Sequence, residues 1–127
     1  MVTNDKDIIY KELSYKIIGL AMEVHKELGF GFLEKVYENS LVFLLKREGL
    51  KAEQQAPIKV HFKEQVVGEY FADILVEDSV ILELKIVTQI SDIHKAQALN
   101  YLKSTGLRLA IILNFGKSKL EYERLVY

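Results

Sequence analysis

Apolar residues recur every three or four positions early in the chain: Leu13, Ile17, Ile18, Leu20, Ala21, Val24 and Leu28 form one stripe, and Gly29 stands where a helix C-cap belongs. The spacing predicts a helix from about Lys11 to Leu28. After Gly29-Phe30-Gly31, a second stripe of Leu33, Val36, Tyr37, Leu41, Leu44 and Leu45 predicts a helix that ends at Gly49. Beyond Gly49 the period falls to two. Ile58, Val60 and Phe62 alternate with Lys59, His61 and Lys63, as on a strand with one wet face near a sheet edge. A polar turn, Lys63-Glu64-Gln65, leads to a second strand over 66–76, and Glu77-Asp78-Ser79 leads to a third over 80–87. Ser91 or Asp92 can cap a third helix running to about Ser104, with Gly106 just past its end. The very apolar stretch 107–115 then reads as a buried strand, and 120–127 as a weaker edge strand.

The predicted order is ααβββαββ. Three antiparallel strands, a crossover helix and another buried strand imply an α/β (α+β) fold, a mixed β-sheet flanked by helices. Pro57 is the only proline, and no linker, repeat or low-complexity tract interrupts the chain, so residues 1–127 read as a single domain whose first ten residues are expected to fray.

Composition narrows the function classes. With 127 residues, half of them hydrophobic, the chain can build a substantial core. The absence of cysteine excludes disulfides, thiolate zinc sites and cysteine nucleophiles. The first eleven residues lack the basic-then-apolar order of a signal peptide, and no apolar run approaches the roughly 18 residues of a membrane span. A soluble, cytoplasmic protein with no membrane partner is expected. Seventeen basic residues against 18 acidic ones give a net charge of −1, so a nucleic-acid partner would have to be held by locally clustered charge or a bound metal.

One place breaks the pattern of good folding. If Glu77-Asp78-Ser79 is a three-residue loop, Val76 pairs with Val80, and counting back along both strands sets Asp73 opposite Glu83, with Lys85 on the same face. Phe71, Leu75, Ile81 and Val87 share that face, while Ala72, Ile74, Val76, Leu82, Leu84 and Ile86 form an ordinary core on the other. Facing carboxylates on an apolar surface are destabilising. Either a divalent cation between them or a proton on one of them must compensate, because Lys85 offsets only one charge. Magnesium suits such ligands and can activate water. The plainer reading is a salt bridge on an exposed hairpin face.

Gly31-x-x-Glu34-x-x-Tyr37, Ala72-Asp73 and Glu83-Leu84-Lys85 together resemble the GxxExxY family of the PD-(D/E)xK nuclease superfamily. Val24-His25-x-x-Leu28-Gly29, Gly68-Glu69-Tyr70-x-Ala72-Asp73, Gln97-x-x-Asn100-Tyr101-Leu102 and Asn114-Phe115-Gly116 extend the likeness along nearly the whole chain. Ala72 stands where the superfamily's name carries proline, a residue without a chemical role. The resemblance implies a restriction-endonuclease-like core in which Asp73, Glu83 and the main-chain carbonyl of Leu84 bind Mg2+ (Mn2+ may substitute). It also implies that Lys85 is the catalytic lysine, assisted by Glu34 and Gln97. The implied function is metal-dependent hydrolysis of nucleic acid, DNA first, by metal-activated water. The alternative is a non-catalytic nuclease-like domain that binds nucleic acid or a protein partner.

Four further side chains are weaker substrate-binding candidates: His25, Tyr37, His94 and Tyr101. Glu34 opens a helix, where its charge also suits the helix dipole. His94, Gln97 and Tyr101 share one face of the third helix, and for His94 and Tyr101 packing or a polar surface is the simpler role. His25 reads as a structural histidine. His61, Lys46, Arg47 and Lys51 read as solvated surface, and Lys117 and Lys119 as weak phosphate contacts. A homodimer would enlarge the grip of so small a subunit on duplex.

Overall fold

The computed structural model describes residues 10–127, so the expected fraying of the first residues lies outside it, apart from Tyr10. Among the described residues three helices and five strands follow in the order α1 (Lys11–Leu28), α2 (Glu34–Arg47), β1 (Ala52–Phe62), β2 (Gln65–Val76), β3 (Val80–Lys85), α3 (Asp92–Thr105), β4 (Leu109–Asn114) and β5 (Glu121–Val126). No helix among them is long and apolar enough to cross a membrane.

The five strands form one mixed sheet in the order β1-β2-β3-β4-β5. β1, β2 and β3 make an antiparallel meander; the crossover through α3 then lays β4 parallel to β3, and β5 returns antiparallel to β4. The parallel pair is the centre. β4 is buried along its whole length and β3 nearly so, because helices cover both faces.

Two cores result. Ile17, Ala21 and Val24 of α1 and Tyr37, Leu41 and Leu45 of α2 pack on Ile74, Val76, Leu82, Leu84, Ile111 and Leu113. Ala98, Tyr101 and Leu102 of α3 pack on Ile81, Ala110 and Ile112 across the sheet. Burying each such Leu or Ile contributes about 1.5–3 kcal/mol before entropy is counted.

Helix ends follow their sequence signals. Gly29 caps α1 with φ 70° and donates its N–H to His25. Ser91 accepts the His94 N–H while the His94 ring accepts the Ser91 N–H, a capping box with histidine in the usual place of glutamate.

Strand limits differ from the expected ones: β2 starts at Gln65 rather than 66, β4 spans Leu109–Asn114 rather than 107–115, and β5 spans Glu121–Val126 rather than 120–127. β1 begins at Ala52 rather than Ile58, because Pro57 lies on an edge strand where a missing N–H is tolerated. β3 ends at Lys85 rather than Val87. The assignment of faces also needs correction. Ala72 belongs to the core under α3, not to the one containing Ile74, and Ile86 is partly exposed. Strict alternation fails because Gln55, opposite Asp73 between the pairs Gln54↔Ile74 and Ala56↔Ala72, has φ 53°. Beyond this kink, Ala56, Ile58 and Ala72 turn toward α3.

Candidate active site

The loop register expected from the sequence is present: Val76 pairs with Val80, and the β2–β3 ladder runs to Ile74↔Leu82 and ends there. Asp73 and Glu83 are the next residues. β3 continues against β4 as far as Lys85↔Asn114, whereas β2 stays with β1. The gap between the diverging strands is bridged by side chains. Asp73 Oδ2 accepts the Leu84 N–H at 2.7 Å, and the Asp73 N–H favours the charged form of the Glu83 carboxylate. A strand residue sends its N–H and C=O to the same side, so the Leu84 carbonyl faces this gap too.

Burial makes the pair costly. Glu83 is 7 % exposed, and its Oε1 finds no hydrogen-bond partner among the described residues. Desolvation, then the charge of Asp73, pushes its carboxyl up to about 8, against the opposing effect of Lys85. Asp73 is also raised, by desolvation and then by Glu38, although the Leu84 N–H, Gln55 and Lys85 draw it down. Glu34, the first residue of α2, is raised by burial and by Asp73 and lowered by Lys85, so it lies within electrostatic reach of both.

Two neighbours went unseen in the sequence. Glu38, one helical turn beyond Glu34, is 2 % exposed and accepts from Lys35 Nζ at 2.9 Å, Gln54 Nε2 at 2.7 Å and Gln55 Nε2 at 3.1 Å. Gln55 also draws the Asp73 carboxyl down, so this β1 residue with φ 53° lies between the helix glutamate and the strand aspartate. The available signal was Glu34 and Glu38 at i and i+4, a repulsive spacing on an isolated helix.

A family model described as the PD-(D/E)XK nuclease superfamily matches residues 11–125. This chain belongs to the PD-(D/E)XK nuclease superfamily. Searches of curated proteins and of solved structures found no match. The mixed sheet with helices on both sides is the restriction-endonuclease-like core of that superfamily, and Glu83-Leu84-Lys85 at the end of β3 has the spacing of a (D/E)xK element. PD-(D/E)XK nucleases use divalent metals. Among the described residues no three His, Cys, Asp or Glu side chains converge to hold one. Asp73, Glu83 and the Leu84 carbonyl are the groups at this gap that could hold a cation. They fit one, since Glu83 Oε1 is buried, unpaired and in need of positive charge.

The other candidate residues divide into two groups. Gln97 and Tyr101 line a cleft between α3 and the β1–β2 hairpin. Burial, then the charge of Glu83, raises the Tyr101 phenol, so the cleft reaches toward the carboxylates. His25, Tyr37 and His94 are engaged with the protein itself. His25 Nε2 meets the Lys117 carbonyl at 2.7 Å. The Tyr37 hydroxyl donates to the Gly29 carbonyl at 2.7 Å and accepts the Phe32 N–H, fixing the Gly29-Phe30-Gly31 turn. The Tyr37 ring stacks on Phe115 with centroids 4.7 Å apart, and His94 caps α3. Substrate contact for these three would compete with holding the fold. Lys117 pairs with Glu121 at 3.8 Å.

Proposed function

We propose that the chain is a metal-dependent nuclease that hydrolyses phosphodiester bonds of DNA with water as the nucleophile. The observation that carries this reading is Glu83, a buried carboxylate with an unpaired oxygen beside Asp73, in a chain of nuclease-superfamily fold. Asp73, Glu83 and the Leu84 carbonyl would hold Mg2+, with Mn2+ able to substitute. A divalent cation bound there lowers the pKa of water and offsets charge on the scissile phosphate.

The chain's own groups would do the rest. Lys85 projects from the end of β3 beside Glu83, where its ammonium can donate to a phosphate oxygen as negative charge develops. Glu34, harder to ionise than a free glutamate, is suited to accept a proton from the attacking water. Gln97 would orient that water or the phosphate from α3. Gln55, held by its bond to Glu38, would favour the charged form of Asp73 that a metal requires.

The test is a cleavage screen on single-stranded, duplex and branched DNA and on RNA, with magnesium and with manganese, using Lys85→Ala as control. Metal-dependent cutting that Lys85→Ala abolishes is expected. Robust cutting by Asp73→Ala, Glu83→Ala and Lys85→Ala alike would sink the reading. The net charge of −1 favours a rival, a nuclease-like domain that binds without cutting. Calorimetric titration that shows no magnesium or manganese binding at millimolar concentration would support that rival.

A further inference from the structure

We propose that the cleft between α3 and the outer half of the β1–β2 hairpin holds an unpaired nucleotide, so that the preferred substrate is a single strand or a frayed end. The inference rests on the nuclease reading for its chemistry, but not for its binding test. The cleft measures about 720 Å³, within the range of about 300–1,000 Å³ that encloses small-molecule ligands. Its wall exists because the hairpin outruns the sheet: β1 is an edge strand, and β2 parts from β3 at Ile74.

The lining supplies what a base and its phosphate require. Tyr70 is 48 % exposed, and its ring lies over Gly68, where a Cβ would come within 3.3 Å of its Cε2. Glycine there seats the ring. One edge of Tyr70 rests on Tyr101, with ring centroids 5.7 Å apart, which leaves an aromatic surface open for stacking. Gln97 and Asn100, one turn apart on α3, point exposed amides into the cleft and make no hydrogen bond among the described residues. Each amide carries a donor and an acceptor, the pattern that base edges complement. Lys103 offers a cation for phosphate, and His61 faces it from β1. At its inner end Tyr101 lies within electrostatic reach of Glu83 and Asp73, so a strand seated here would lead toward the carboxylates.

A paired duplex cannot use the Tyr70 surface, because neighbouring bases cover its ring faces, and the partner strand occupies the Watson–Crick edges that the amides would otherwise meet. A chain of net charge −1 also gains little from bulk attraction to a duplex. Stacking, worth on the order of ten-fold in affinity per base, then decides what is held.

The experiment is fluorescence anisotropy of the full chain in chelator, with a short labelled single-stranded DNA and with the blunt duplex of the same sequence. The single strand is expected to bind on the order of ten-fold tighter. Tyr70→Ala should remove that advantage, Tyr70→Phe should keep it, and neither should alter duplex binding. Should Tyr70→Ala misfold, Asn100→Asp must weaken single-strand binding, because it sets a negative charge in the cleft from an exposed position. Equal binding of both DNAs, or single-strand binding untouched by a folded Tyr70→Ala or by Asn100→Asp, overturns the proposal. Tyr70-dependent binding without cleavage in any metal keeps the cleft and removes the nuclease reading. Duplex cleavage unaffected by Tyr70→Ala does the reverse.

Discussion

Two buried polar side chains lie on adjacent strands at the same end of the sheet, and they are treated in opposite ways. Asn114 of β4, fully buried, has every hydrogen-bonding position filled: its Oδ1 accepts from Val87 and Gly116, and its Nδ2 donates to the Val87 carbonyl and to Glu121. Glu121 in turn accepts the Ile90 N–H, and these two bonds, Asn114 first, hold its carboxyl below the ordinary value. Glu83 of β3, nearly as buried, has one oxygen with no partner and a second carboxylate beside it. A satisfied network closes a fold, whereas an unsatisfied one costs stability that only an added proton or cation can return. The first is architecture. The second is the pair to which the proposed function assigns the chemistry.

Substitution should separate the two regions. The largest effect is expected from Lys85→Ala, which should lower cleavage by about a hundred- to a thousand-fold while leaving the denaturation midpoint near that of the wild type. A matched loss of stability would place Lys85 with the architecture instead. Asn114→Ala should do the opposite, costing about 3 kcal/mol or more in urea unfolding, because it strands the Val87 and Gly116 N–H groups and the Val87 carbonyl. An unfolding midpoint close to wild type would show that water replaces the amide.

The pH dependence sharpens the contrast further. In the fold Glu83 keeps its proton until about 8, whereas in the unfolded chain it releases it near its ordinary 4.5. Its contribution is therefore fully present below 4.5 and is lost as pH rises through 8, by an amount on the order of a few kcal/mol in chelator. Asp73, also raised, adds to the same trend. Glu83→Gln should flatten the profile in denaturant titrations across this range; an unchanged slope would remove Glu83 as its cause. Magnesium binding should strengthen over the same range and release a proton, measurable by calorimetry in buffers of different ionisation heat. The smallest effect is expected from Tyr37→Phe, about 1 kcal/mol for the lost bond to Gly29, with the stacking on Phe115 retained. A large loss of binding with unchanged stability would instead make Tyr37 a substrate contact.

Much of the fold was legible because the chain is locally consistent. Helical stripes end at Gly29 and Gly106, and strand alternation resumes after each polar turn, so element order and the Val76↔Val80 register could be counted. The beginning of β1 was not legible, since Glu53-Gln54-Gln55 shows no apolar alternation and Pro57 suggests a boundary. Gln55 and Glu38 escaped for another reason. Their significance lies in the bond between them and in their effect on the charge of Asp73, and nothing in sequence separation encodes that meeting. His94 was visible as a polar residue on a helix face, but only its backbone position at the third residue of α3 made it a cap.

The sequence by itself determined the order of elements, the hairpin register and hence the approach of Asp73 to Glu83, because periodicity and loop length are local properties. Only the tertiary structure decided how unfavourable that approach is. The parting of β2 from β3 withdraws main-chain partners, helices on both faces remove water, and Glu34 and Glu38 arrive from α2 with further negative charge. Burial and long-range charge depend on what packs against a residue, and that is settled when the layers close.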